Sequence, residues 1–215
     1  MTETAVGHPR IRTFHARHGR LTDSMRRALT QLAPRYDAGG RDRRRPLVLE
    51  VGSGDGRAAL AFADAHPDHD VLAVDVHAPG VAQLLLALEA SPRRNVFVRR
   101  HDAVEMLDHE IPSRSLAGVH VFFPDPWPKA RHHKRRFIRP DVVELVVDRL
   151  APGGVLLLAT DVDDYADAAR SVLDAHPLLR GGRTARPAWR PTTGYESKAL
   201  AAGRSVHELA YRRTA

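Results

Sequence analysis

Five acidic residues stand at or just beyond the ends of five short apolar segments. They are Glu50, Asp75, Asp102, Asp125 and Asp161. A single aspartate in such a position is more often the N-cap of the next helix than a ligand, and Asp161 by itself fits that description. Five carboxylates in the same place along successive segments favour a shared role, because carboxylates accept hydrogen bonds from the hydroxyl and amino groups of a polar ligand.

The apolar segments that precede these acids are typical of buried strands. Strands are predicted at 47–51, 71–76, 95–99, 119–123 and 155–159. Helices are predicted from the end of the glycine-rich residues 52–56 to about 65, and at 79–90, 140–150 and 163–175. Short apolar strands that alternate with helices indicate βαβ units with right-handed crossovers. The predicted fold class is therefore α/β, a doubly wound, mostly parallel sheet. The segment 206–212 is expected to join it as an antiparallel C-terminal strand, after a long ordered loop at 180–203.

A strand order of 3-2-1-4-5 would place the five acids in one row. Ligands of open α/β sheets bind at the carboxyl ends of the strands, where the strand order reverses. Four strand spacings of about 4.8 Å give a row of roughly 19 Å, enough for a nucleoside cofactor and a second substrate side by side. Asp75 is placed to accept hydrogen bonds from both ribose hydroxyls, and Asp102 to accept one from an adenine amino group.

A glycine-rich loop, Gly52-Ser53-Gly54-Asp55-Gly56, follows the first predicted strand. Glycines there permit a tight turn and a close approach of the backbone to a ligand. A dinucleotide fingerprint would have a small residue at the position of Arg57, and the P-loop sequence is absent. The loop therefore favours an adenosyl cofactor without a pyrophosphate, above all S-adenosylmethionine, and an NAD enzyme is the weaker alternative.

The segment 119–136 joins an apolar strand, the sequence Pro124-Asp125-Pro126-Trp127-Pro128 and a dense run of cations. The alternating prolines are expected to hold Asp125 and Trp127 in extended geometry. A carboxylate and a flat ring beside the cations of 129–136 suit a polyanion that presents a base. Two alternatives stay open: a basic face that is merely solvated, and a Trp127 ring that braces the proline loop instead of stacking on a base.

The composition excludes several classes of protein. The chain of 215 residues has no cysteine, which excludes disulfides and cysteine-ligated zinc, and its thirteen histidines show no metal-ligand spacing. No apolar run reaches the roughly 20 residues of a membrane helix, so a cytoplasmic protein is expected. A net charge of +7 fits a nucleic-acid partner. Residues 1–45 are predicted to form a basic N-terminal extension with a short helix capped near Thr22, and residues 46–215 the main domain.

The segment FFPDPWPKARHHKRR is similar to PDPWxKxxHxKRR, the most specific motif of the bacterial tRNA (guanine-N7-)-methyltransferase family. The chain resembles that family also at IRTFHARHGRLT, LEVGSGDG, VDVHAPGV, HDAVEML, LAPGGVLLLATD and RPTTGYE, over roughly residues 10 to 213. The resemblance implies a class I S-adenosylmethionine-dependent methyltransferase fold for 46–215. It also implies an enzyme that transfers a methyl group from S-adenosylmethionine to N7 of a guanine in the variable loop of tRNA.

The resemblance implies roles for individual residues as well. The catalytic residue would be Asp125. The cofactor contacts would be Glu50, Gly52, Gly54, Asp75, Asp102, Ala103 and Asp125. The substrate contacts would be Lys129, Asp161, Thr193, Tyr195 and Glu196. The RNA contacts would be Arg131, His132, Lys134, Arg135 and Arg136. The family's C-terminal segment usually has Thr-Lys-Phe-Glu, whereas this chain has Gly194 and Tyr195 in place of the lysine and phenylalanine, so the lysine is absent or replaced by Lys198.

Two other functions fit the same sequence. One is a class I methyltransferase that acts on another RNA, a protein or a small amine, which the basic run disfavours. The other is a non-catalytic RNA-binding module on the same fold, which the complete row of acids and the glycine loop disfavour. The expected partner is tRNA, with no metal and no membrane, and the expected assembly is a monomer or homodimer.

Overall fold

The structure is a computed structural model that describes residues 11–14, 19–42 and 44–215, except the side chain of Tyr195. Residues 1–10, 15–18 and 43, which belong to the predicted N-terminal extension 1–45, lie outside the described residues. The strands are β1 Leu47–Val51, β2 Asp70–Val74, β3 Val96–Arg99, β4 Leu116–Phe122, β5 Leu150–Thr160, β6 Leu179–Arg183 and β7 His207–Arg213. The α-helices are α1 Asp23–Arg27, α2 Arg57–Ala65, α3 Ala78–Ala90, α4 Ala103–His109, α5 Pro140–Arg149, α6 Asp163–Ala175 and α7 Gly194–Ala201.

The strands of the described residues form one seven-stranded sheet in the order β3-β2-β1-β4-β5-β7-β6. Strands β1 to β5 pair in parallel, and β7 lies antiparallel to both β5 and β6. The fold is therefore α/β, a doubly wound, mostly parallel sheet with an antiparallel C-terminal strand, as predicted. The predicted order 3-2-1-4-5 is also confirmed. The carboxyl ends of β1 to β5 thus share one edge of the sheet, and the strand order reverses between β1 and β4.

Helices cover both faces of the sheet, because alternate strand residues point to opposite faces and both sets are apolar. On β1, Leu47 and Leu49 join a core with α4, α5 and α6, whereas Val48 joins a second core with α2 and α3. Burying a side chain such as Leu49 completely stabilises the fold by about 1.5–3 kcal/mol. Glu50 shares the face of Val48, so an acid is buried beside α2.

The chain before β1 packs against α3. Helix α1 begins after Thr22, whose Oγ1 accepts a hydrogen bond from a first-turn N–H at 3.3 Å, so the predicted cap is confirmed. The helix continues as a π-helical turn, Ala28–Leu32, and a 3-10 helix, Ala33–Tyr36. The hydroxyl of buried Tyr36 donates to the Leu88 carbonyl oxygen at 2.9 Å. These turns share a core with α3, and the division at residue 45 stays a prediction.

The prediction of a long ordered loop over 180–203 is wrong, because β6 and α7 occupy much of it. The β6 sequence LRGGR lacks the β-branched and aromatic residues typical of strands. It is a strand because β7 pairs with its backbone, and a Cβ on Gly181 would lie 2.0 Å from the Ala210 carbonyl oxygen. Helix α4 was not predicted either, since its seven residues are too few to show a clear apolar period.

Candidate active site

The glycine loop turns the chain out of β1 into α2. Gly52, Gly54 and Gly56 have φ of +70°, +56° and +79°, in the left-handed region that favours glycine. A Cβ on Gly56 would lie 2.3 Å from the Leu84 Cδ1, so helix packing requires this glycine. A Cβ on Gly52 or Gly54 would meet no described atom within 4 Å. These two glycines therefore present bare backbone to open space at the end of β1.

A cleft of about 630 Å³ opens beside that backbone. Its walls combine the ends of β1, β2 and β4 with Thr13, Phe14 and the start of α7. Four of the five strand-end acids line it, namely Glu50, Asp75, Asp102 and Asp125, and so does Ala103. Asp161 follows β5, the next strand, and is not among the lining residues. The structure thus brings four carboxylates to one cavity and leaves the fifth outside its lining.

Glu50 is the most deeply buried of these acids, at 2% exposure. Burial raises the pKa of Glu50 to about 8, the charges of Asp55 and Asp75 add to this effect, and a hydrogen bond from the Ala59 backbone opposes it. Its Oε2 has no hydrogen-bond partner among the described residues, and neither has the buried Ser53 Oγ. An unpartnered buried polar atom costs about 1–3 kcal/mol, so both atoms suit a ligand that supplies the missing hydrogen bonds.

Asp75 and Asp102 hold the backbone on either side of the cleft. Asp75 Oδ2 accepts a hydrogen bond from the Gly54 N–H at 2.7 Å, and its Oδ1 accepts one from the His77 N–H at 2.7 Å. Asp102 is the N-cap of α4, and its Oδ1 accepts a first-turn N–H at 2.8 Å. The N-cap interpretation therefore applies to Asp102 and not to Asp161, which precedes the N-cap of α6. An ionised carboxylate has about four acceptor sites, so both residues keep acceptor capacity for a ligand.

The loop after β4 positions Asp125 through an unusual backbone. Phe123 and Trp127 have φ of +52° and +47°, so the predicted extended geometry of Trp127 is wrong. The Trp127 ring is 2% exposed, its Nε1 donates to the Thr13 carbonyl oxygen at 3.1 Å, and the Arg135 guanidinium lies 3.9 Å from the ring centroid. These tertiary contacts override the preference of a residue that precedes proline for extended backbone. In this structure Trp127 braces the loop.

The basic run forms a 3-10 helix, Ala130–Arg135, immediately after this loop. Its exposed cations are Lys129, Arg131 and Lys134. The His132 ring, in contrast, lies edge-on to Trp127 with the centroids 5.9 Å apart. These three cations lie four to nine residues after Asp125, which lines the cleft.

Arg135 and Arg136 face the protein. Besides stacking on the Trp127 ring, Arg135 donates from Nε to the Arg12 carbonyl oxygen at 3.2 Å. Arg136 is only 4% exposed, donates to the Pro126 carbonyl oxygen at 3.0 Å and pairs with Asp164. The uniform RNA-contacting run expected from the sequence is therefore divided, and Arg136 holds the loop from inside.

Comparisons with known proteins identify the family of the chain. A family model described as "Putative methyltransferase" matches residues 44–209. A tRNA (guanine-N(7)-)-methyltransferase of Nitrosospira multiformis is 43% identical to the chain over 219 residues, covering 96% of each chain. The protein of the same name from Nocardioides sp. is 49% identical over 176 residues, covering 82% of this chain and 71% of its own. The chain belongs to the tRNA (guanine-N(7)-)-methyltransferase family.

Solved methyltransferase structures share the fold at low sequence identity. An rRNA methylase from Streptococcus thermophilus superposes with a TM-score of 0.55 at 16% identity, covering 86% of this chain and 92% of that one. Phosphoethanolamine N-methyltransferase 2 of Haemonchus contortus, in complex with S-adenosyl-L-methionine, gives 0.53 at 13% identity, covering 88% and 53%. The class I methyltransferase fold predicted for this family member is confirmed.

The segment that corresponds to Thr-Lys-Phe-Glu in the tRNA (guanine-N(7)-)-methyltransferase family opens α7. Thr193 is the N-cap, and its Oγ1 accepts a hydrogen bond from the Glu196 N–H at 3.3 Å. Thr193 and Gly194 line the cleft, and so does Lys198, one helical turn after Gly194. A lysine on this face of α7 thus lies near the place where the family usually has one. The side chain of Tyr195 lies outside the described residues.

Glu196 and Asp161, both expected to contact the substrate, are already paired with arginines. Glu196 is 2% exposed and accepts hydrogen bonds from Arg186 and Arg190, each at 2.8 Å. The more accessible Asp161 accepts one from the Arg204 Nε at 2.8 Å through Oδ2. The pairing of these arginines could not be predicted from the sequence, because the residue type alone does not distinguish a buried arginine from one that faces RNA.

The cleft fits S-adenosylmethionine, the cofactor expected for this methyltransferase family. Unpartnered Glu50 Oε2 and Ser53 Oγ, the carboxylate of Asp75 and the bare backbone at Gly52 and Gly54 suit an adenosyl group with free hydroxyls. Across residues 11–14, 19–42 and 44–215, no group of three or more His, Cys, Asp or Glu is arranged to hold a metal ion. Over the same ranges, no helix has the length and apolar character to cross a membrane.

Proposed function

We propose that the protein transfers the methyl group of S-adenosylmethionine to N7 of a guanine in the variable loop of tRNA. The observation on which the proposal rests is the position of Asp125. This carboxylate lines the cleft that fits the cofactor, and the exposed cations Lys129, Arg131 and Lys134 follow it four to nine residues later in the chain. A methyl donor and a nucleic acid can therefore meet at one residue.

The strand-end acids and the glycine loop would hold the cofactor. Asp75 would accept hydrogen bonds from the ribose hydroxyls, and Glu50 would use its unpartnered Oε2. Asp102 and Ala103 lie beyond β3, where the row of acids begins, and would border the adenine. The backbone of the glycine loop would approach the cofactor closely, because Gly52 and Gly54 have no side chain in the way.

The methyl transfer depends more on the positioning of the two reactants than on proton transfer. S-adenosylmethionine supplies an electrophilic methyl group on a sulfonium. Guanine N7 has a lone pair and no proton to lose, so the protein must place N7 in line with the bond that breaks. Asp125 would stabilise the positive charge that develops on the guanine. No strong general base is required before the attack.

Asp161 would help to select guanine. Its Oδ2 is held by Arg204, which leaves Oδ1 to accept a hydrogen bond from N1–H or N2–H of the base. Adenine has neither of these N–H groups, so this hydrogen bond would favour guanine. Thr193 lines the cleft at the start of α7 and would contact the base there. Lys198 lines the same side and would take the place of the lysine that Gly194 replaces.

The exposed cations would bind tRNA phosphates, and the target base would leave its stack to enter the cleft. Because Trp127 is buried as a brace, we do not assign it the role of stacking on that base. We further propose that the protein acts in the cytoplasm, where it would meet tRNA, as a monomer or homodimer.

Mass mapping of nucleosides tests the proposal. The protein is incubated with S-adenosylmethionine and unmodified tRNA, and the tRNA is digested and sequenced by mass. We expect one 7-methylguanosine in the variable loop. Methyl transfer that survives RNase pretreatment of the substrate would instead favour a protein or small-amine acceptor. Failure to bind S-adenosylmethionine in calorimetry would favour the non-catalytic RNA-binding module.

A further inference from the structure

Arg190 lies at the junction of three elements and does not reach solvent. Its side chain is 0% exposed, and the segment that holds it, 184–193, connects β6 to α7. Arginine is rarely buried to this extent unless its charge is paired and its donors are used. The partners of this side chain therefore indicate its role.

Two glutamates neutralise Arg190. Its Nη1 donates to Glu196 Oε2 at 2.8 Å and its Nη2 to Glu196 Oε1 at 3.3 Å, which makes a bidentate pair. Nη2 also pairs with Glu208 on β7. Arg186 donates to the same Glu196 at 2.8 Å and to the Arg190 carbonyl oxygen at 2.7 Å. The network of two cations and two acids fixes the first turn of α7 to β7.

The same guanidinium contacts the end of β4. It lies 5.3 Å from the ring centroid of Phe122 and 5.6 Å from that of Phe123. The adjacent Trp189 stacks on the His120 ring with the centroids 5.2 Å apart. Two neighbouring residues therefore seat the segment on β4, the strand that leads into the PDPWP loop. Arg190 thus touches α7 through Glu196 and the end of β4 through two aromatic rings.

We infer that Arg190 is a positioning residue for the target guanine: it sets the separation between Thr193 on α7 and Asp125 after β4. These two residues border the cleft on the sides between which the base would be held. A shift of about 1 Å in such a site can lower the rate about 100-fold, whereas phosphate contacts elsewhere keep the tRNA bound. Because the separation matters only if a base enters this cleft, the role rests on the proposed function.

Arg190→Lys is the test variant, and Arg213→Lys is its matched control. Lysine keeps the charge and loses the bidentate fork. Arg213 is also buried, at 6% exposure, and donates to the Leu150 carbonyl oxygen at the amino end of β5, on the opposite edge of the sheet from the cleft. Both variants therefore replace a buried arginine. The measurements are kcat with unmodified tRNA, the Kd of tRNA, the Kd of S-adenosylmethionine, the melting temperature and amide exchange at 193–201.

We expect Arg190→Lys to lower kcat about tenfold or more, with both Kd values unchanged and faster amide exchange at 193–201. Arg213→Lys should lower the melting temperature about as much as Arg190→Lys does, and should keep the wild-type kcat. A folded Arg190→Lys protein with wild-type kcat would overturn the inference. An equal loss of kcat in Arg213→Lys would overturn it too, since the effect would then follow stability alone.

Glu208→Gln provides a second variant if Arg190→Lys does not fold. The amide oxygen still accepts a hydrogen bond from Arg190 but without the charge, so we expect a smaller fall in kcat and unchanged tRNA affinity. A wild-type kcat in this variant would count against the inference. If wild-type protein methylates no tRNA, the proposed function fails. Amide exchange at 193–201 then still shows whether Arg190 holds α7, and equal exchange in variant and wild type would refute that role.

Discussion

The Asp75 carboxylate accepts a hydrogen bond from the backbone N–H of Gly54 at 2.7 Å, which fixes the glycine loop of β1 against the end of β2. Its second oxygen holds the backbone of His77 in the same way. One side chain therefore shapes both borders of the proposed ribose position before any ligand is bound. Such pre-organisation reduces the entropy that binding must overcome.

Replacing Asp75 should weaken the binding of S-adenosylmethionine. Hydrogen bonds to charged groups contribute about 1.5–3 kcal/mol, so Asp75→Ala should raise the Kd about 10- to 100-fold in calorimetry. Asp68→Ala, at an exposed acid just before β2, serves as the control and should bind normally. Unchanged affinity in Asp75→Ala would contradict the ribose assignment.

Two glycines of one loop should respond differently to the same substitution. Gly54→Ala would be strained by about 1–2 kcal/mol because of its φ of +56°, and its methyl group would enter the space proposed for the cofactor. Gly56→Ala would in addition collide with Leu84 at 2.3 Å and should lower the melting temperature further. Thermal unfolding and calorimetry separate the two effects. Normal cofactor affinity in Gly54→Ala would place the ligand elsewhere.

Asp125→Ala should lower methyl transfer about 100- to 1,000-fold while tRNA binding survives. The carboxylate is proposed to stabilise developing positive charge, a contribution of the size lost with one preorganised group, about 100- to 1,000-fold in kcat. Single-turnover methylation and filter binding measure the two properties separately. The control is Asp141→Ala, at an exposed acid in the first turn of α5, which should keep both the methylation rate and the tRNA affinity of the wild type. Turnover near the wild-type rate would remove Asp125 from the mechanism.

Neighbouring cations of the divided basic run should differ in what their removal changes, tRNA affinity in one case and thermal stability in the other. Arg131→Ala with Lys134→Ala should weaken tRNA binding and reduce the slope of log K against log salt by about 1 per lost contact. Arg136→Ala should lower the melting temperature, because it removes the buried partner of Asp164 and of the Pro126 carbonyl oxygen. A salt slope unchanged in the double variant would return Arg131 and Lys134 to a merely solvated face.

The burial of Glu50 should make stability depend on pH. Its pKa is raised to about 8 in the folded protein from an ordinary value of 4.5. Between these values the folded state holds more protons than the unfolded chain, so the free energy of unfolding falls as the pH rises from about 5 to 8. Without cofactor, Glu50→Gln should therefore melt above the wild type at pH 8 and close to it at pH 5. A constant difference across this range would argue that Glu50 does not titrate there.

The sheet and the four acids of the cleft could be predicted because their signals are local. Apolar runs of strand length mark β1 to β5, and an acid at each carboxyl end must fall on the edge that parallel pairing creates. Thr22 could be predicted as a cap for the same reason, since capping involves only the residues of one turn.

The environment of the remaining site residues depends on tertiary contacts. Nothing in the run Arg135-Arg136 shows that one guanidinium stacks on Trp127 and the next is buried against Tyr165. Likewise, Trp127 has a positive φ, although a residue before proline prefers extended backbone, because its indole ring is buried in the protein. Glu196 and Arg190 lie six residues apart in an arginine-rich segment whose sequence is typical of an open loop. Their ion pair is buried only because α7 and β7 pack against this segment.

The insertion of β7 between β5 and β6 has a consequence for biosynthesis. The ribosome makes β6 before β7, so β6 has no strand to join when it emerges, and the hydrogen-bonding edge of β5 stays open until the last strand arrives. An open edge of this kind is a template for pairing with another chain. The nascent protein therefore exposes this edge until β7 is made, and slow decoding of the codons for 184–206 would prolong that interval.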